Sequence, residues 1–149
     1  MRAVVQRVLE GKVTVSGETV GAIGQGLVVF LGLGKGDEEA DVRYMADKIA
    51  NLRIFTDDAD KMNLSLRDTG GELLAISQFT LYGDCRKGRR PSFTDSLEPQ
   101  RANELIEFFV KLCRDMGICV ATGKFAAHMD VSLINHGPVT MLIDSKKNF

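Results

Sequence analysis

The sequence predicts an α+β fold: a single domain over residues 1–149, with a mainly antiparallel or mixed sheet curled toward a barrel and two main helices. Three observations point there. β-rich runs recur along the whole chain. Only two stretches carry apolar residues at helical spacing. The two classes do not alternate regularly, which argues against stacked βαβ units.

Residues 2–9 alternate enough for a first strand. Lys12 to Val15 and Thr19 to Ile23 read as two short strands joined through Ser16-Gly17-Glu18, a hairpin signal. Leu27-Val28-Val29-Phe30-Leu31, within 26–34, is continuously apolar, as in a strand buried on both faces. Asp37-Glu38-Glu39 opens a helix, because acidic residues in a first turn complement the helix dipole. Val42, Met45, Ala46 and Ile49 follow on one face. Residues 51–56 read as a strand and 57–71 mostly as loop, with a short strand near Leu64. Glu72 to Leu81 is a strong strand. The second helix starts near Pro99, a residue tolerated in a first turn. It presents Leu105, Ile106, Phe108, Phe109, Leu112, Cys113 and Met116, and stops at Gly117. Val120, Val131 to Ile134 and Val139 to Ile143 supply the last strands.

A chain of 149 residues can bury a sizeable core, and 44% hydrophobic with 26% charged residues is ordinary for a globular protein. The net charge of −1 gives no bulk attraction to nucleic acid. No apolar run approaches the roughly 20 residues that cross a bilayer, so no membrane partner is expected. Met1 to Arg7 carries a charge inside its apolar pattern and reads as a strand, not a signal peptide. Cys85, Cys113 and Cys119 are odd in number and widely spaced, which argues against a disulfide framework or zinc site and for a reducing, cytoplasmic setting. His128 and His136 lack the spacing of a metal motif. No metal or cofactor is expected. The nucleophile elbow, the phosphate-binding P-loop and the dinucleotide fingerprint are all missing.

Four features carry chemistry. Along 77–81, period-2 geometry sets Ser77, Phe79 and Leu81 on one face and Gln78 and Thr80 on the other. The second face turns from apolar to polar at its end. That end either gathers hydroxyls, an amide and free N–H groups into a site, or simply runs out to solvent. At Asn135 to Thr140, Gly137-Pro138 interrupts two β-rich runs and must form a bulge, bend or turn, because proline removes a ladder donor. The residues alone do not license a cis bond there. Arg7 shares a strand face with Ala3, Val5 and Leu9. On that pattern it reads as a solvated or snorkelling side chain. If buried it needs acceptors, and backbone carbonyls would serve. Finally, Arg86, Lys87, Arg89 and Arg90 surround Gly88 and precede Pro91. Such a loop is either a solvated charge cluster or a phosphate contact, and its closeness to Leu81 favours a phosphate-bearing substrate.

Taken together, Ser77-Gln78-Phe79-Thr80-Leu81-Tyr82-Gly83, Lys87-Gly88-Arg89-Arg90-Pro91-Ser92-Phe93 and Asn135-x-Gly137-Pro138-Val139-Thr140 resemble the motifs of the D-aminoacyl-tRNA deacylases. The opening Met1 to Val8 is similar as well, and the likeness covers nearly the whole chain. His136 stands where that family more often has Asp, and Ala126, after Phe125, where Gly is frequent. The resemblance implies hydrolysis of the ester of D-aminoacyl-tRNA, with glycyl-tRNA leaking through because glycine has no side chain to reject. It implies catalysis around Ser77, Gln78, Phe79 and Thr80. It implies substrate contacts from Gly137, Pro138, Arg7, Asn135, Phe125 and Met129, and tRNA phosphates on Arg86, Lys87, Arg89 and Arg90. It also implies a homodimer in which a cis Gly137-Pro138 enters the partner's site, with Arg7 holding that segment. Thr80 has no evident base to activate it as a nucleophile. The competing readings are an esterase forming an acyl-enzyme on Thr80 or Ser77, and a non-catalytic RNA-binding module built on the 86–90 loop.

Overall fold

One strand, β1 (Arg2–Val15), organises the sheet. The computed structural model describes residues 1–149. One edge of β1 pairs antiparallel with β8 (Asp130–Asp144) from Arg2↔Asp144 to Thr14↔Asp130. Its other edge pairs first with β3 (Gly26–Gly32), at residues 2–8, and then with β2 (Glu18–Ile23), at residues 11–15. β3 pairs in parallel with β6 (Glu72–Ser77), and β6 with β7 (Val120–Thr122). The result is the expected mixed, strongly curled sheet. The curl brings β2 back beside β7, so that a Cβ on Gly21 would lie 2.2 Å from the Thr122 carbonyl oxygen.

The core lies on both sides of this sheet. On the helix side, Ala3, Val5, Leu27, Val29, Leu31 and Leu73 meet α1 (Glu39–Asn51) and α3 (Pro99–Asp115) through Met45, Ile49, Leu105 and Phe109. Inside the curl, Val8, Val13, Ile23, Val28, Leu74 and Ile76 form a second cluster. Adjacent β3 residues Leu27 and Val28 therefore belong to different clusters, which is why its run is apolar without alternation. Pro99 opens α3, Glu98 accepts from the Gln100 and Arg101 N–H groups, and Gly117 (φ +83°) ends it in a left-handed turn.

Several expected boundaries move. Residues 2–9 and 12–15 form one strand, because β8 pairs continuously past the gap. The two final runs are likewise one strand, pinched at residues 136–139 where the register with β1 slips. The 51–56 strand shrinks to β4 (Phe55–Thr56), paired with β5 (Met62–Leu64). Asn51 instead completes α1, its amide donating to the Asp47 carbonyl at 2.9 Å. A four-residue helix, α2 (Leu66–Thr69), was missed. Its signal was Ser65 with Asp68 three residues on, a reciprocal capping pair. The 72–81 strand stops at Ser77, because its partner β3 ends at Gly32. Gln78 N–H still reaches Leu31 O at 2.7 Å, and Phe79–Tyr82 then tighten into a 3-10 turn.

A buried polar cluster ties the sheet to α1. The Met1 ammonium lies 2.6 Å from Asp37 Oδ1 and donates to Ser145 Oγ. The Ser145 hydroxyl donates to Asp41 Oδ1 at 2.7 Å, and Lys146 Nζ sits 2.8 Å from the same carboxylate. Burial pushes the Asp41 carboxyl up, but hydrogen bonds from Lys146, the Glu38 N–H and Ser145 outweigh it and bring the pKa down to about 2.

Two outcomes test this frame. An unfolded Asp titrates near 3.9, so the Asp41 contribution is fully present above about pH 4. It is lost as the pH falls toward about 2. Urea midpoints between pH 5 and pH 2 should show that loss, and Asp41→Asn should flatten it. Gly21→Ala should cost about 1–3 kcal/mol in the same unfolding assay at neutral pH, because its methyl has no space against β7.

Candidate active site

The end of β6, the following 3-10 turn, the loop before β8 and the start of α3 enclose an open cleft of about 660 Å³. That size suits a small-molecule or nucleoside ligand. Ser77, Gln78 and Phe79 line it on one side, and Phe125, His128 and Met129 on another. Leu97 and Ala102 add apolar surface that sequence reasoning did not single out, and Ile106, read there only as part of the apolar face of α3, lines the cleft as well. Ala102 and Ile106 share the apolar face of α3 with Leu105 and Phe109, whereas Leu97, ahead of the helix, carried no such signal. His128 was weighed only as a metal ligand. Phe125 also packs against the main core, so its ring is partly held by the body of the fold.

The 3-10 turn replaces the simple two-faced strand expected at 77–81. Leu81 N–H donates to Gln78 O at 3.2 Å and Gly83 N–H to Thr80 O at 2.9 Å. The Phe79 and Thr80 N–H groups stand first in the turn and receive no acceptor from it. The Gln78 side-chain amide donates to Thr80 Oγ1. The turn is fixed from behind. Arg2 Nη1 donates to Leu81 O at 3.0 Å and stacks on the Tyr82 ring, while Tyr82 OH donates to Asp37 Oδ2 at 3.1 Å. Gly34 leaves room for that ring, since a Cβ there would lie 2.3 Å from Tyr82 Cε1.

Gly137 and Pro138 are exposed and do not line this cleft. Their peptide bond is cis, and Gly137 adopts φ +125°, a conformation that favours glycine. Asn135 staples the base of this excursion rather than facing the cleft: its Oδ1 accepts from Val139 N–H at 3.1 Å and its Nδ2 donates to Thr140 Oγ1 at 3.0 Å.

Arg7 corrects the strand-pattern reading. It is buried, 7% exposed, not solvated or snorkelling. Nε donates to His136 O at 3.1 Å, and Nη1 to Ile54 O at 2.8 Å and more weakly to Thr56 Oγ1 at 3.4 Å. It thereby connects the Gly137-Pro138 excursion to β4 and the residues before it. Only the backbone carbonyl of position 136 is used, so His136 satisfies Arg7 as Asp would. Ala126 holds φ +59°, a left-handed conformation that explains why glycine suits the position.

The 86–90 loop is exposed throughout and closed by an Asp84–Ser92 bridge with N–H···O distances of 2.8 and 3.0 Å. Arg86 differs from its neighbours. It grips Asp84 with both Nε and Nη2, at 2.9 and 2.8 Å, which holds the Asp84 carboxyl well below the usual range. Lys87, Arg89 and Arg90 carry no ion pair.

Comparison with known proteins settles the lineage. The sequence model described as D-Tyr-tRNA(Tyr) deacylase matches residues 4–144. The chain belongs to this family. A D-aminoacyl-tRNA deacylase of Clostridioides difficile is 62% identical over the full length of both chains, and one of Thermosipho africanus 60% identical over the same span. A solved structure named c-Myc DNA Unwinding Element Binding Protein shares 38% identity with a TM-score of 0.90, covering 97% of this chain and 98% of that one. A probable eukaryotic D-amino acid tRNA deacylase, at 18% identity and TM-score 0.80, shares the fold over 95% of this chain and 97% of its own.

Arg7→Met tests the buried fork. It strands two carbonyls and should lower stability by about 2–3 kcal/mol, read from denaturant midpoints. Hydrogen exchange at residues 135–140 should rise with it.

Proposed function

We propose that the protein hydrolyses the ester of D-aminoacyl-tRNA, releasing the D-amino acid and tRNA, with residues 1–149 acting as one catalytic domain. The observation that carries this is the pair of acceptor-free N–H groups at Phe79 and Thr80, held at the edge of a nucleoside-sized cleft. The terminal adenosine occupies the cleft between Phe125, Met129 and the Ser77–Gln78 strand end. The ester carbonyl oxygen points at the Phe79 and Thr80 N–H groups, which stabilise charge as it develops there. Water adds to the carbonyl carbon, the bond to the ribose oxygen breaks, and that oxygen leaves with a proton. The neighbouring ribose hydroxyl helps place the water. An aminoacyl ester is reactive enough for orientation and oxyanion stabilisation to suffice. Thr80 is not the nucleophile, for its hydroxyl already accepts from Gln78 and no base adjoins it.

Chirality is read by exclusion. With the substrate ammonium and carbonyl fixed, the two remaining positions on the α-carbon differ. A D side chain points to open space, and an L side chain strikes the Gly137-Pro138 backbone. Glycine passes, so glycyl-tRNA is also cleaved. The exposure of Gly137 and Pro138, away from their own cleft, supports a homodimer in which each copy supplies this backbone to the other. The unpaired outer edge of β8, with Ile134 and Leu142 exposed, offers surface for that contact. Lys87, Arg89 and Arg90 take tRNA phosphates, and Arg86 braces their loop through Asp84.

The test is loss of the aminoacyl group from matched D- and L-tyrosyl-tRNA. The expected result is release of D-tyrosine alone. Cleavage of both would remove the exclusion role of Gly137-Pro138, and loss of neither with tRNA bound would leave a binding module. Thr80→Ala should keep at least about a tenth of the rate, whereas removing a covalent nucleophile costs on the order of 10⁴-fold or more.

A further inference from the structure

Two exposed aromatic side chains, Phe79 and Phe93, line the rim of the cleft on the side of the basic loop. Phe79 is 57% and Phe93 38% exposed, and their rings meet edge to face with centroids 5.2 Å apart. Neither exposure is required by the chemistry above, which uses only the Phe79 backbone. Phe93 is also fixed. It follows directly on the Asp84–Ser92 bridge, and Gly83 approaches it so closely that a Cβ there would lie 2.9 Å from Phe93 Cε1. A ring backed on one side and open on the other loses little freedom when a flat group stacks on it.

The loop that leads into Phe93 carries Lys87, Arg89 and Arg90, three exposed cations with no intrachain ion pair. Cations beside an exposed aromatic ring match single-stranded nucleic acid, which offers phosphates and π-faces at alternate steps. The patch is continuous with the cleft, since Phe79 and Phe93 both line it, across from Phe125 and Met129.

We propose that Phe93, abutting Phe79, is the stacking platform for the nucleobase that precedes the terminal adenosine of the tRNA, with Lys87, Arg89 and Arg90 on the adjoining phosphates. This rests on the reading of the cleft as the aminoacyl-adenosine site. Phe93 is thus a positioning residue: it orients the single-stranded end so that the ester arrives at the 3-10 turn. Stacking needs no hydrogen-bond readout of the base, and the single-stranded 3′ end is common to all tRNAs, which suits an enzyme that must accept many of them.

The experiment compares two substrates, D-tyrosyl-tRNA and the minimal D-tyrosyl-adenosine, in wild type, Phe93→Ala and Phe93→Tyr. Phe93→Ala should raise KM for the tRNA by roughly fivefold to a hundredfold with kcat largely kept. Phe93→Tyr should restore it. KM for D-tyrosyl-adenosine, which lacks the preceding base, should move less than twofold. Equal loss on both substrates would overturn the proposal, assigning Phe93 to support of the Phe79 turn. No change on either would overturn it too. So would a change in oligomeric state by sedimentation, which would assign the aromatic patch to a second copy. Failure of the wild-type protein to cleave either substrate would instead remove the deacylase reading on which the proposal stands.

Discussion

The constraint on which the rest depends is the double duty of β1. It lends one edge to β8 over its whole length and divides the other between β3 and β2. A strand serving that many partners cannot stay flat. Its helix-side face carries Ala3 and Val5 into the main core, while Val8 and Val13 turn into the curl. Arg7 sits where the strand passes from one to the other. The side chain that would have continued the apolar row becomes a buried cation, and its carbonyl partners come from segments packed across it.

That arrangement couples frame to site. The β6 end and its 3-10 turn are set by where β3 runs out, and the turn is locked by Arg2, Tyr82 and Asp37 behind it. The Gly137-Pro138 excursion is set by the register slip between β1 and β8, and is held by Arg7 and Asn135. Both motifs depend on backbone path more than on reactive side chains. The large apolar residues beneath them have the ordinary task of fixing that path.

Legibility in the sequence followed range. The two long helices, the doubly buried β3 and the end of α3 at Gly117 could be read locally, from periodicity and cap chemistry, while the short α2 was passed over despite its capping pair. The fold class could be read from β-rich runs that far outnumber the helical stretches, although the two parallel crossovers, β3 to β6 past α1 and β6 to β7 past α3, could not. What depended on distant partners could not. Arg7 looked exposed because its acceptors lie 47 and 129 residues away. Residues 78–81 looked like more strand because period-2 extrapolation does not register the end of a neighbouring strand. The position of Arg86 in a cation cluster concealed its grip on Asp84, two residues back. Only the family resemblance singled out 77–80 and 137–138 together, where spacing alone left each open to a bland reading.

The pairing of β1 with β8 joins residues 2–14 to residues 130–144, close to the greatest sequence separation this chain allows. Loop closure over such a span is slow, because its entropy is lost before the contact forms. β1 must therefore wait for β8, more than a hundred residues further along, before that edge is covered. Until then β1 offers an open row of amides and carbonyls to any passing strand. The sheet edge closes only when β8 docks, so the window in which strand-edge association competes with folding lasts until the most distant pairing of the fold has formed.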